Sequence, residues 1–168
     1  MKRSKLLSRL REIKVITKGS FKLRSGAAAQ FYCDIKKAYG YPDILDALAD
    51  EVIAKLSKDI DCIAASGHGG IPLAAAVALK AGKKLIIVRN VSKGHGRAKN
   101  LDGYPFHVAA KIAIIDDVLT SGSSIRDVSQ KLRAYKECKI VGAVVVVRRG
   151  EEKLSIPIQY LFDIQDLQ

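Results

Sequence analysis

The sequence predicts a single α/β domain built on a central parallel sheet. Three observations carry that reading. Short apolar runs at Cys62–Ala65, Lys84–Arg89, Lys111–Ile115 and Ile140–Val147 alternate with segments of helical periodicity. The 168 residues are 48% hydrophobic and 27% charged, enough for one domain that buries roughly two-thirds of its unfolded surface. One apolar strand also runs into Asp116-Asp117 and then a hydroxyl- and glycine-rich turn that opens a helix. In open α/β sheets ligands bind at that end of a strand.

Each element has a local reason. Leu6, Leu7, Leu10 and Ile13 recur at helical spacing and predict a helix over 3–14 with a basic outer face. Phe21–Arg24 and Gln30–Asp34 read as short strands around a Ser25-Gly26 turn. With the first helix they form a small N-terminal hood over about 1–40; the core follows over about 41–168. Pro42 suits the first turn of a helix that reaches about Lys58, with Ile44, Leu45, Leu48, Val52 and Ile53 on one face. Ser66-Gly67-His68-Gly69-Gly70 reads as a loop, followed by an Ala-rich helix over Ile71–Ala81 that Gly82 stops. Residues 90–107 read as a long polar loop, a flexible cationic flap with Lys93, His95, Arg97 and Lys99. A helix over Ser124–Tyr135 and a last strand over Ile158–Phe162 complete the chain.

Charge narrows the partners. The formal net charge is +12. Residues 1–24 hold nine bases against Glu12 alone, and residues 80–100 hold seven bases and no acid. Such fields attract nucleic acid or phosphate-rich small molecules. No apolar run approaches the roughly 20 residues of a membrane span, and the N-terminus lacks the apolar block of a secretory signal. Cys33, Cys62 and Cys138 are odd in number with no CxxC pair, which disfavours zinc and fits a reduced, cytoplasmic protein.

The chemistry concentrates in Lys111-Ile-Ala-Ile-Ile-Asp116-Asp117-Val118-Leu119-Thr120-Ser121-Gly122-Ser123-Ser124. The turn offers backbone N–H groups, hydroxyls and a helix N-terminus, which cradle an anion. Carboxylates repel phosphate but accept hydrogen bonds from sugar hydroxyls, so turn and acid pair together suit a phosphorylated ribose. An ordinary capped helix would leave the acid pair unexplained. Ser66–Gly70 reads as a second anion loop whose glycines let the backbone approach a diphosphate. A Walker motif is excluded because no GxxxxGK[ST] occurs; a dinucleotide fingerprint fails because Pro72 stands where its third glycine belongs.

The Lys111–Ser124 segment resembles the signature of the type I phosphoribosyltransferases, which bind 5-phosphoribosyl-1-diphosphate (PRPP). Phe21-Lys-Leu-Arg-Ser-Gly26, Phe31-Tyr-Cys-Asp34, Gly70-Ile-Pro72 and Arg89-Asn-Val-Ser-Lys-Gly-His95-Gly96 resemble the orotate phosphoribosyltransferase branch from about residue 19 onward. The resemblance implies the type I fold, Mg2+ held mainly by PRPP with no direct protein ligand, and a homodimer sharing its flap between subunits. It implies that Arg89, Lys93 and His95 act on the diphosphate. It further implies that Asp116, Asp117 and the 118–124 turn bind PRPP, and that Ser66, Gly67, His68, Gly69 and Gly70 hold the diphosphate. Orotate falls to Thr120, Arg148, Arg24, Phe31 and Tyr32. The chain departs from the family pattern at Asn90 and Gly69, where a Lys is usual, at Ala27–Ala29, and at Val147, where an Asp is usual. Two alternatives stand beside orotate transfer: transfer to another base, or a PRPP-sensing regulator whose basic N-terminus binds nucleic acid. Specific nucleic-acid binding is not expected, because no helix-turn-helix precedes the domain and the basic helix lacks interleaved aromatics.

Overall fold

The structure, a computed structural model, describes residues 1–22, 28–90, 100–150 and 153–168. Helix α1 (Arg3–Glu12) buries Leu6 and Leu10 completely. Its arginines are spent on the body of the protein. Arg3 pairs with Glu51 at 2.8 Å, donates to the Leu161 carbonyl and stacks on Phe162; Arg9, paired with Glu12 of its own helix, also lies 3.8 Å from Asp43 and over the Tyr41 ring; Arg11 donates to the Asp166 carbonyl. The basic helix is thus a docked element rather than a projecting arm.

Strands β1 (Ile16–Lys22) and β2 (Ala28–Cys33) form a separate antiparallel pair, with Ile16 opposite Cys33. This is the hood. Its first strand starts five residues earlier than the sequence suggests, because β-branched Ile16 and Thr17 pair with the end of β2. The Ser25-Gly26 turn and Arg24 lie outside the described residues. A short helix α2 (Lys36–Tyr39) leads to α3 (Pro42–Ile53), which has Pro42 in its first turn. Helix α3 ends before the expected Lys58. Tightened bonds from Lys55 to the Val52 carbonyl and from Leu56 to Ile53 turn the chain so that Ile60 reaches the core.

The main sheet has the order β5-β4-β3-β6-β7-β8. Strands β3 (Cys62–Ser66), β4 (Lys84–Val88), β6 (Ala110–Leu119), β7 (Cys138–Arg148) and β8 (Ile158–Asp163) run parallel; β5 (Leu101–Gly103) is an antiparallel edge. Helix α4 (Gly67–Ala81) joins β3 to β4 on one face with α3, and α5 (Ser123–Tyr135) joins β6 to β7 on the other. Ile63, Leu73, Val77, Ile115 and Val146 fill the first layer; Ile86, Ile112, Ile114, Val128 and Leu132 fill the second.

The sheet differs from the sequence reading in three places. The expected 90–107 loop is the far side of a hairpin: β5 pairs with β4, and Phe106 is fully buried. Lys93 and His95 lie outside the described residues. Strand β6 does not stop before the acid pair, because the longer β7 keeps pairing, with Asp116 opposite Val145 and Leu119 opposite Arg148. Finally, the glycine-rich stretch after Ser66 is not a loop but the first turn of α4, entered through Gly67 at φ +67°.

Candidate active site

The chain leaves β3 for β4 on one side and reaches β7 from β6 on the other, so β3 and β6 flank the switch point of the sheet. Their carboxyl ends bring together the two predicted anion sites. At the end of β6 the Asp116 carboxylate accepts from the Asp117 N–H at 2.9 Å, and Asp117 accepts from the Val118 N–H at 2.8 Å. Each acid keeps a second oxygen. Burial, with the adjacent Asp117 charge second, holds the Asp116 carboxyl well above the usual carboxylate range.

The following turn is open. Gly122 precedes α5 at φ +69°, no side chain caps that helix, and its first turn holds no acid. Thr120, Ser121, Ser123 and Ser124 are all exposed, and Asp116, Val118, Leu119, Thr120, Gly122, Ser123 and Ser124 line one concavity. Uncapped N–H groups beside hydroxyls suit an anion. Arg126 donates to the Ser121 carbonyl and braces the turn.

Across the crevice, the first turn of α4 lies directly on β6. A side chain at Gly69 would meet the Asp117 carboxylate at 2.3 Å, and one at Gly70 would meet the Ile115 carbonyl at 2.8 Å. These two glycines are therefore required by the acid pair and the strand beneath them. His68 is exposed on this turn. Ser66 donates to the Val88 carbonyl at 2.7 Å, and its hydroxyl lies against the Asn90 side-chain amide, tying the end of β4 to the start of α4.

The aromatic pair divides as strand geometry requires. Tyr32 is 41% exposed and packs on Phe21 at 5.7 Å, whereas Phe31 is half-buried under the Arg149 guanidinium at 4.8 Å. Arg148, opposite Leu119 at the end of β7, binds Asp163 at 2.6 Å and stacks on Tyr160 at 4.2 Å. The arginine over Phe31 of the hood is Arg149, the neighbour of Arg148. Its N–H binds the Leu119 carbonyl at 2.9 Å, placing it beside Thr120. Arg89 is likewise engaged, in a two-bonded ion pair with Asp102 at 2.6 Å. Arg24, Lys93 and His95 lie outside the described residues, so the structure assembles the ribose, phosphate and hood parts of the predicted site.

Two contributors escaped the sequence reading. Tyr39 donates to the Gly69 carbonyl at 2.7 Å, and burial, with Asp117 and Asp116 behind it, raises its hydroxyl pKa. Arg149 could have been found from its position beside Arg148, since successive residues face opposite ways. Cys33 is buried close to both Asp117 and Arg149, and burial first, then Asp117, pushes its thiol up to about 12.

Comparison with known proteins agrees with this geometry. The phosphoribosyl transferase domain model matches residues 34–165. The orotate phosphoribosyltransferase of Methanocaldococcus jannaschii is 39% identical, with the alignment covering 99% of this chain and 97% of that one. In fold, the orotate phosphoribosyltransferase of Aeropyrum pernix superposes with a TM-score of 0.81 at 24% identity, over 96% of this chain and 95% of that one. The UMP synthase of Leishmania donovani superposes at 0.82 and 23% identity; this chain is covered to 99% but spans only 37% of that protein. The domain model spans most of the chain and a relative at 39% identity covers nearly all of it, so the chain belongs to the phosphoribosyltransferases.

Proposed function

We propose that this chain is an orotate phosphoribosyltransferase, which moves the phosphoribosyl group of PRPP onto orotate to give orotidine 5′-monophosphate and diphosphate. The observation that carries the choice of base is Arg149, held over Phe31 beside Thr120 and in no ion pair among the described residues. Orotate is a flat ring bearing a carboxylate. An aromatic face and a guanidinium fork match those two features, and Arg can grip a carboxylate with two parallel bonds.

The remaining roles follow. The uncapped N-terminus of α5 and the 120–124 hydroxyls bind the 5-phosphate. Asp116 and Asp117 accept hydrogen bonds from the ribose hydroxyls. The first turn of α4 receives the diphosphate, with His68 on its outer side. In the reaction the C1′–oxygen bond breaks, diphosphate leaves with the electron pair, and the orotate ring nitrogen bonds to C1′. The negative charge gathering on the diphosphate calls for cations, and Lys93 and His95 supply them from the flap of a neighbouring subunit in a homodimer. Arg89, fixed to Asp102, acts at the base of that flap.

The donor set fits Mg2+ carried on the substrate. Asp116 and Asp117 each keep one oxygen for a hydrated cation, and Mg2+ prefers waters and phosphate to an all-protein cage. Its chemistry there would be to neutralise diphosphate charge. Among the described residues no helix is long and apolar enough to cross a membrane, and all three cysteines are free thiols, which supports a reducing, cytoplasmic setting.

The test is diphosphate release with Mg2+, PRPP and orotate, uracil, adenine or hypoxanthine in turn. Orotate is turned over and uracil is not. Arg149→Ala raises KM for orotate at least about tenfold, as loss of a charge-assisted bond of about 1.5–3 kcal/mol requires, and spares KM for PRPP. Arg148→Ala, which gives up the Asp163 pair and the Tyr160 stack, leaves both unchanged. Faster turnover of a purine, or equal effects from the two arginines, would remove orotate from the assignment.

The docked α1 argues against the regulator. With Arg3, Arg9 and Arg11 held by the protein itself, duplex DNA binding is weak, non-specific and lost near about 150 mM salt. A salt-resistant, PRPP-dependent complex in a filter-binding titration would reverse that ranking.

A further inference from the structure

Strands β7 and β8 are parallel neighbours. A crossover between such strands ordinarily takes about a dozen residues or more and carries a helix that covers the sheet. Here residues 149–157 make the connection, and those described among them form no helix. The connection passes on the α5 face, where Ile156 joins the core layer and Leu154 packs against it. Between these two residues and the outer side of α5 a groove of about 270 Å³ opens.

The groove has two unlike walls. Its floor is apolar, made by Ile125, Leu154 and Ile156. Its rim is one stripe of α5: Arg126, Ser129, Gln130 and Arg133 stand at the i, i+3, i+4, i+7 spacing that puts side chains on one side of a helix. Gln130 and Arg133 are exposed and Ser129 is half-buried. All four side chains donate hydrogen bonds, and no acid is among the described residues that line the groove. Asp127, the acid of α5, pairs with Lys131 at 2.7 Å. Arg126 is held in place by its bond to the Ser121 carbonyl, so the rim is fixed at that end before any ligand arrives.

Charge and size select the occupant. A rim of donors beside an apolar floor matches a phosphate group carried on an apolar body. Guanidinium forks fit phosphate oxygens, and a net charge of +12 draws anions toward the surface. Small-molecule pockets run from about 300 to about 1,000 Å³, and this groove lies at the small end, so the body is of single-ring size. The groove backs onto the 120–124 turn rather than opening from the acid pair. Leu154 packs behind Gly122, where a side chain would meet its methyl group at 2.9 Å, and Ile125 separates the two concavities by lining both.

We propose that the groove between α5 and the 153–156 stretch is a second ligand site, which takes a phosphate monoester with a single-ring body. The phosphate sits on Arg133, Ser129 and Gln130 and the ring on Leu154 and Ile156.

Calorimetric titration with phenyl phosphate, under saturating Mg2+ and PRPP and without any base, reads the outcome. The native chain binds one phenyl phosphate per chain. Inorganic phosphate lacks the ring and benzyl alcohol lacks the charge, and each binds at least about tenfold more weakly. Arg133→Glu and Gln130→Glu change exposed positions of α5. Each lowers affinity for phenyl phosphate at least about tenfold, with native circular dichroism and native affinity for PRPP. Absence of binding by the native chain overturns the proposal. So does equal binding of inorganic phosphate, which net charge alone would explain, or full affinity in either variant. Phenyl phosphate that binds without PRPP and is displaced by it occupies the crevice at the acid pair, which also overturns the proposal. No step involves orotate, so this site and the choice of base stand or fall separately.

Discussion

Replacing Asp116 and Asp117 together by Asn abolishes PRPP binding while the chain stays folded. Each carboxylate already gives one oxygen to a backbone N–H and keeps the other for a ligand. A hydrogen bond from a hydroxyl to a carboxylate contributes about 1.5–3 kcal/mol. Losing two lowers affinity roughly a hundred- to ten-thousandfold, which calorimetric titration with PRPP resolves. Unchanged affinity in the double variant would remove the acids from the ribose site.

Asp116→Asn alone raises stability at neutral pH, and the sign follows from the burial of Asp116. Its carboxyl lies above the ordinary range in the folded chain because burial and Asp117 disfavour its charge. The folded state therefore holds that proton more tightly than the unfolded state. Stability falls as pH rises from the ordinary carboxylate range through the raised value, and the full cost remains above it. Asn carries no charge to bury. The melting temperature of Asp116→Asn exceeds that of the parent at about pH 8, and the gap closes toward about pH 4. A constant gap, or a parent more stable at high pH, contradicts the burial account. Keeping an acid that the fold would rather lose is the mark of a residue retained for binding.

What was legible in the sequence was local. The strand, acid pair, hydroxyl turn and helix start between Lys111 and Ser124 depend on neighbours a few residues apart, and that segment forms a strand, turn and helix. Partners distant in sequence decided the rest. Asp116 and Asp117 lie within β6 because β7 is long enough to pair beyond Ile115. Leu101–Gly103 becomes a strand only because β4 offers an edge, and its polarity hides it from periodicity. The choice between Arg148 and Arg149 turns on where the hood sits: Phe31 waits above one and Tyr160 and Asp163 hold the other. Tyr39 gave no signal, since its role consists of one bond to the Gly69 carbonyl thirty residues away.

The glycines of α4 separate binding from folding most sharply. Gly69→Ala places a methyl group 2.3 Å from one Asp117 oxygen and 2.5 Å from the other. The carboxylate cannot swing away freely, because it holds the Val118 N–H at 2.8 Å. Either Asp117 leaves its position or the first turn of α4 lifts from β6, and both outcomes disturb the proposed ribose and diphosphate sites. Affinity for PRPP falls at least about tenfold, the equivalent of one charge-assisted bond. Gly70→Ala meets the Ile115 backbone carbonyl at 2.8 Å instead. Backbone inside a parallel sheet cannot yield, so overpacking costs about 1–3 kcal/mol of stability, visible as a lower urea midpoint. Gly40→Ala is the control: its only close neighbour is the Lys37 carbonyl at 3.5 Å, its φ is −73°, and neither measurement moves. If Gly69→Ala bound PRPP like the parent, Asp117 would not be fixed by this contact. The glycine would then serve only the entry to the helix, and the acid would have to be held by something other than the packing of α4 on β6.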